Sequence, residues 1–255
     1  MKAKKSYGQH FLTNEEITSN IADALVGLHS NVLEVGPGKG MLTKYLLEKD
    51  YKLLVVEADR DMVGYLKKNF PALQNHIVSA DFLKVPIATL FQEQPFALIG
   101  NFPYNISSQI LFKMVENRSL IPEMVGMFQK EVAERVIAPP GNKTYGVVSV
   151  LIQAWYKGEY LFTVDKSNFN PPPKVQSGVI RLTRKDNDTL GCDEKLFKSV
   201  VKQAFSQRRK MLRNTMKPFL TESSLLSEPL FTQRPERLSV EDFIDLTNII
   251  AKAKK

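Results

Sequence analysis

Short, continuous apolar runs alternate along the first half of the chain with segments whose apolar residues recur at helical spacing. Residues 32–35, 52–56, 77–78, 96–99 and 123–128 read as buried strands. Between them, Leu42, Tyr45, Leu46 and Leu47 mark one helix, and the spans 59–70 and 107–116 predict two more. An earlier helix opens on the capping box Thr13-Asn14-Glu15-Glu16 and carries its stripe on Ile17, Ile21, Ala24, Leu25 and Leu28. Strands alternating with helices at this spacing predict an α/β fold, a mainly parallel sheet covered by helices on both faces.

The second half is less regular. Residues 129–137 predict a helix, stopped by Pro139-Pro140-Gly141. Residues 147–155 are apolar throughout their core, and periodicity does not decide between buried helix and strand. Residues 160–164 and 175–182 have strand character, and Phe169-Asn170-Pro171-Pro172-Pro173-Lys174 between them reads as a stiff extended loop. The polar patch 183–191 is the candidate linker, and 192–255 reads as a few short helices. The expected organisation is therefore a large α/β domain over residues 1–185 and a small all-helical domain over 192–255. No internal repeat or low-complexity tract interrupts it.

Composition narrows this picture. With 255 residues the chain buries a full core. No apolar run is long enough to span a bilayer, and the basic N-terminus lacks the apolar stretch of a signal peptide. Cys192 is the only cysteine, so no intrachain disulfide or cysteine metal site forms, which fits a reducing cytoplasm. The formal net charge is +8. From 195 to 217 there are eight Lys or Arg residues and no Asp or Glu, an asymmetry that points to a polyanionic partner.

The candidate chemistry sits at strand ends. The fourth run empties into Gly100-Asn101-Phe102-Pro103-Tyr104, a loop of the kind that holds ligands at the carboxyl ends of strands in open α/β sheets. The Asn101 amide oxygen can accept a hydrogen bond from a planar amine. Pro103 lacks an N–H and pushes Phe102 extended, which frees the Phe102 carbonyl as a second acceptor. Tyr104 offers a ring for stacking a base, worth about 1–3 kcal/mol. Two acceptors on an adenine amine favour its more nucleophilic geometry. An ordinary Asn-Pro-Tyr turn is the competing account.

The first strand ends in Glu34-Val35-Gly36-Pro37-Gly38-Lys39-Gly40, short of a full dinucleotide fingerprint and without a P-loop lysine pattern. The Glu-x-Gly-x-Gly-x-Gly pattern suits S-adenosylmethionine, whose amino-acid end needs close backbone approach. Glu57 closes the second strand, where an acid can accept from both ribose hydroxyls, and is otherwise an exposed carboxylate. Asp81-Phe82 closes the third, where Asp81 can accept from an adenine amine while Phe82 packs on the ring; a helix cap is the alternative.

Together these strand ends resemble the Rossmann-like, seven-stranded class I S-adenosylmethionine-dependent methyltransferases, and Asn101-Phe102-Pro103-Tyr104 resembles the amino-methyltransferase motif [ND]-x-P-[YF]. Six segments carry a closer resemblance to the small-subunit (16S) rRNA adenine dimethyltransferases. They are Tyr7-Gly-Gln-His-Phe-Leu12, Glu34-Val-Gly-Pro-Gly38, Asn101-Phe-Pro-Tyr-Asn-Ile-Ser107, Phe128-Gln-Lys-Glu-Val132, Phe169-Asn-Pro-Pro-Pro-Lys-Val-Gln-Ser177 and Ala204-Phe-Ser-Gln-Arg-Arg-Lys210. The similarity runs over residues 5–247.

The resemblance implies N6,N6-dimethylation of two adjacent adenosines in the 3′-terminal hairpin of small-subunit rRNA, with S-adenosylmethionine as donor. The substrate would be a 30S pre-ribosomal particle and the enzyme a cytoplasmic monomer. It implies cofactor binding by His10, Leu12, Gly36, Glu57, Asp81 and Asn101, and framing of the target base by Asn101 and Tyr104, with Phe102 and Pro103 completing the catalytic loop. His10 departs from the commoner Asn of the family: a backbone contact would survive this change and a side-chain contact would differ. Phe102 replaces the more usual Leu.

Direct in-line transfer without a covalent intermediate is the expected mechanism, and positioning can supply about 7–11 kcal/mol of it. His29 and His76 read as structural. Lys4, Lys5, Arg208, Arg209, Lys210 and Arg213 are the candidate RNA contacts, with Phe197, Val200, Val201, Ala204 and Phe205 forming the core-facing stripe beside them. The competing functions are a large-subunit rRNA adenine methyltransferase, a non-catalytic ribosome assembly factor and, less fittingly, a nicotinamide dehydrogenase.

Overall fold

A computed structural model describes residues 8–27, 29–220 and 224–253. Lys4, Lys5 and Leu28 lie outside the described residues. The chain divides into two compact units, Met1–Ala133 with Lys157–Arg184, and Glu134–Tyr156 with Lys185–Lys255.

The elements that build the first unit are, in chain order, β1 (Phe11–Leu12), α1 (Glu15–Asp23), β2 (Asn31–Val35), α2 (Met41–Leu47), β3 (Lys52–Glu57), α3 (Arg60–Asn69), β4 (Ile77–Ser79), β5 (Ala97–Asn101), α4 (Ser107–Glu116) and β6 (Glu123–Gln129). Helix α5 (Lys130–Ile137) leads into the second unit, where α6 (Val147–Gln153) follows. The chain returns through β7 (Tyr156–Val164), β8 (Phe169–Asn170) and β9 (Ser177–Arg184), and ends in α7 (Glu194–Phe205), α8 (Leu212–Thr215) and α9 (Val240–Ala253).

One seven-stranded sheet runs in the order β4-β3-β2-β5-β6-β9-β7. The pairs β4–β3, β3–β2, β2–β5 and β5–β6 are parallel, and β6–β9 is antiparallel. Central parallel strands are covered on both faces and need unbroken apolar sequence, which is why Val32, Leu33, Leu53, Val55, Leu98 and Ile99 are all buried. The edge strand β4 is short, as edges that avoid further pairing tend to be. The chain works outward from β2 through β3 to β4, then crosses back to lay β5 on the other side of β2. This reversal opens a crevice at the carboxyl ends of β2 and β5, the usual place for a ligand.

The cap of α1 differs from expectation by one residue. Asn14, not Thr13, is the N-cap, its side chain accepting from Ile17 N at 3.0 Å. Thr13 is drawn instead to the proline-rich loop, where its backbone N and its Oγ1 both donate to Asn168 O. The undecided segment 147–155 is mainly helix, α6.

In the second unit, α7 buries Phe197, Val200, Val201 and Ala204, the predicted stripe, and its Phe205 ring lies between Tyr145 at 6.2 Å and Phe243 at 5.8 Å. Residues 134–156, expected from sequence in the α/β domain, group with these helices. Among the described residues no helix is long and apolar enough to cross a membrane.

Candidate active site

A cavity of about 440 Å³ opens at the crevice between β2 and β5. It is lined by the strap Gly8–Leu12, by Thr18 and Ile21 of α1, by residues 34–39 through the glycine turn, by Met41 and Leu42 of α2, by the ends of β3 and β4, and by the loop 101–106. It therefore collects His10, Leu12, Gly36, Glu57, Asp81, Asn101, Phe102, Pro103 and Tyr104, nine residues that sequence chemistry and resemblance nominated.

The loop after β5 is held from below. Gly100 packs so closely on β2 that a Cβ there would lie 2.6 Å from Val35 O. Phe102 is buried, its ring 5.2 Å from that of Phe128, and it rests on Gly126, where an added Cβ would meet it at 2.4 Å. Phe102 N donates to Met127 O at 3.2 Å. An aromatic at this position thus anchors the loop to β6, and Gly126 provides the room. Tyr104 is half-buried, with its hydroxyl 2.6 Å from Ser177 Oγ on β9. Burial pushes its phenol pKa up, so it stays neutral across the physiological range.

The strap closes the cavity from above. β1 pairs antiparallel with β8, Phe11 opposite Asn170 and Leu12 opposite Phe169. Gln9 Nε2 donates to Asp59 Oδ2 at 3.0 Å. Asn101 Nδ2 donates to His10 O at 3.0 Å. Because a carbonyl only accepts, this contact fixes which end of the Asn101 amide faces the strap, and its oxygen is left for a ligand. His10 Nδ1 lies 2.8 Å from Pro171 O, and by the same logic Nδ1 carries the proton. The His10 and Tyr104 rings stack with centroids 5.5 Å apart and planes at 26°.

The acids at the strand ends are pre-organised by backbone. Glu57 accepts from Gly38 N at 3.0 Å and Asp59 N at 2.8 Å, so it clamps the glycine turn while keeping acceptor capacity for a ligand. Burial raises its pKa, against the lowering effect of those N–H groups. Asp81 does cap a short helix, Oδ1 accepting from Leu83 N at 3.0 Å, and it also lines the cavity. The two accounts of Asp81 are compatible, one oxygen for each. Lys113 fastens the segment that follows, donating to Leu83 O at 2.9 Å and Val85 O at 2.7 Å.

The family description "Ribosomal RNA adenine dimethylase" matches residues 1–252. The chain belongs to the ribosomal RNA adenine dimethylase family. It is 57% identical to the ribosomal RNA small subunit methyltransferase A of Bacteroides thetaiotaomicron, covering 100% of this chain and 96% of that protein. It is 55% identical to the protein of the same name from Flavobacterium johnsoniae, over 98% of this chain and 96% of that one. Among solved structures, a dimethyladenosine transferase from Plasmodium falciparum superposes with a TM-score of 0.81 at 26% identity, covering 96% of this chain and 98% of that one. The fold of this dimethylase is that of the S-adenosylmethionine-dependent methyltransferases.

The cavity of this dimethylase fits a nucleoside-sized donor. Gly36 has a φ of +71° and its missing Cβ would find only Pro103 Cδ, at 3.8 Å, so backbone is presented to the cavity without side chain in the way. Glu57 and Asp81 supply acceptors at two successive strand ends, the partners that the O–H groups of a ribose diol and the N–H groups of an adenine amine require.

Sequence reading assigns no separate role to two further contributors, Glu34 and Ser177. Glu34, fully buried and lining the cavity, accepts from Thr43 Oγ1 at 2.7 Å; burial pushes its pKa up to about 8, with Glu57 nearby adding to the rise. Its signal was an acid inside the apolar run Val32-Leu33-Glu34-Val35. Ser177 had no signal beyond its place in the proline-rich segment. His76 Nδ1 lies 3.1 Å from Leu53 O, and His76 does not line the cavity. Arg209, Lys210 and Arg213 are exposed, whereas Arg208 is half-buried and donates to Asn142 O at 3.1 Å.

Proposed function

We propose that this dimethylase transfers methyl groups from S-adenosylmethionine to N6 of two adjacent adenosines in the 3′-terminal hairpin of small-subunit rRNA, acting as a cytoplasmic monomer on a 30S pre-ribosomal particle. The observation that carries this is the Asn101 amide, oriented by the His10 carbonyl at the mouth of a donor-sized cavity. Bound S-adenosylmethionine supplies a methyl carbon on a positively charged sulfur, an electrophile that needs no further activation.

The chain's own residues do the rest. Gly36, Glu57, Asp81, Leu12 and the backbone of His10 form the donor walls. The Asn101 oxygen and the Phe102 carbonyl accept from the two hydrogens of the target amine. Tyr104 supports the base, and its hydroxyl, held by Ser177, keeps the ring from rotating away. No general base is assigned, because N6 becomes acidic once it has reacted. Positioning accounts for about 7–11 kcal/mol of the acceleration. Extruding the base costs a few kcal/mol, offset by phosphate contacts from Lys4, Lys5, Arg208, Arg209, Lys210 and Arg213.

The test is transfer of labelled methyl groups to purified, unmodified 30S and 50S particles, followed by nuclease digestion and mass spectrometry. Dimethyladenosine in small-subunit RNA is the expected product. Labelling of 50S RNA alone would support the large-subunit methyltransferase instead, and binding without labelling would support a pure assembly factor.

A further inference from the structure

His10 makes contacts on three sides, and none of them requires a cofactor. Its carbonyl accepts from Asn101 Nδ2, its ring N–H reaches Pro171 O, and its ring lies against Tyr104. These contacts join three pieces of chain that are distant in sequence: the strap, the loop after β5 and the proline-rich loop. The backbone pairing of Phe11 with Asn170 fixes the strap one residue further on, and Gln9 holds Asp59 one residue before, so the His10 ring is the tie that joins the strap to the proline-rich loop at the residue whose carbonyl meets Asn101.

We infer that His10 is a positioning residue for methyl transfer, its side chain acting through Asn101 and Tyr104 instead of as a ligand of the methyl donor. The ring–Pro171 hydrogen bond holds the strap at the height where the His10 carbonyl meets the Asn101 amide. Loosening it lets that amide rotate and turns a donor N–H toward an amine that also donates. The stacked imidazole meanwhile backs the Tyr104 ring, whose other restraint is the hydroxyl on Ser177. The role rests on the methyltransferase function proposed above.

The test compares His10→Ala, His10→Asn and His10→Phe on 30S particles at saturating S-adenosylmethionine, with S-adenosylhomocysteine affinity measured separately by calorimetry. His10→Asn keeps an N–H for Pro171 O without the ring, and His10→Phe keeps the ring without the N–H. His10→Ala is expected to lower kcat about tenfold or more while S-adenosylhomocysteine affinity stays within about twofold, because misplaced groups slow the chemical step without removing a ligand contact. His10→Asn and His10→Phe should fall between Ala and the native protein.

A loss of S-adenosylhomocysteine affinity that matches the loss of activity, with kcat restored at saturating donor, would overturn the inference and make the side chain a donor ligand. Native kcat in both His10→Asn and His10→Phe would overturn it too, even if His10→Ala does not fold. Failure of the functional proposal looks different: the native protein itself would leave 30S RNA unlabelled.

Discussion

Asn101, the last residue of β5, donates its side-chain amide to the backbone carbonyl of His10, 91 residues away in the chain, at 3.0 Å. One contact therefore does two things: it closes the strap over the cavity, and it decides which atom of Asn101 faces a ligand. Asn101→Ala removes both. Methyl transfer is expected to fall by about 10²–10³-fold, the usual loss when a positioned polar group is removed from a reaction site. Binding to 30S particles should persist, since the exposed cations of the second unit are untouched. Filter binding and transfer assays on the same variant separate the two.

The support beneath the loop makes a second expectation. A methyl group on residue 126 would lie 2.4 Å from the Phe102 ring. Gly126→Ala should destabilise the fold by about 1–3 kcal/mol through overpacking and tilt the loop that carries Asn101. Pairing it with Phe102→Leu, a smaller side chain, should recover part of both stability and activity. Denaturant melts and kcat measure the two recoveries; independent, additive effects would contradict a shared contact.

Glu34 predicts a pH dependence of stability. Its carboxyl is pushed from the ordinary carboxylate range up to about 8 in the folded chain. A raised folded pKa means the unfolded chain ionises first, so this group's contribution falls as pH rises from about 4.5 toward 8, by at most about 1.4 kcal/mol per pH unit. Glu34→Gln keeps shape and a hydrogen-bond acceptor for Thr43 but does not titrate. The variant should gain stability relative to the native protein as pH rises from 5 to 8, in thermal melts taken across that range. A parallel pair of curves would show that Glu34 is ionised when buried.

Arg209, Lys210 and Arg213 are exposed on a surface segment without an interspersed acid. Replacing all three by Ala should reduce the slope of log affinity for 30S particles against log salt by about 0.7–0.9 for each phosphate that is no longer neutralised. The affinity of the donor analogue should not change. An unaltered slope would remove these residues from the RNA interface.

What the chain reveals in advance is local chemistry, and what it conceals is closure. Gly36, Glu57, Asp81 and Asn101 each follow a short apolar run, and the parallel sheet brings all such ends to one side, so the site can be assembled from strand order alone. The β1–β8 pair cannot. Each strand has two residues, too few for any period, and Phe11 meets Asn170 only once the whole sheet is built. Thr13 departs from its expected capping role for the same reason: its partner, Asn168, belongs to that distant segment. Helix α6 reads Val-Val-Ser-Val-Leu-Ile-Gln, apolar almost all round, so periodicity is silent on both its type and the unit it joins.

That late pairing has a consequence for how the protein comes into being on the ribosome. His10 waits for Pro171, 161 positions behind it in order of synthesis. Every lining residue of the cavity has already been made once Ile106 is added. A nascent chain can therefore lay down the central strands and carry a gaping, half-formed pocket through much of its translation, and the clasp shuts only when the three prolines leave the exit tunnel.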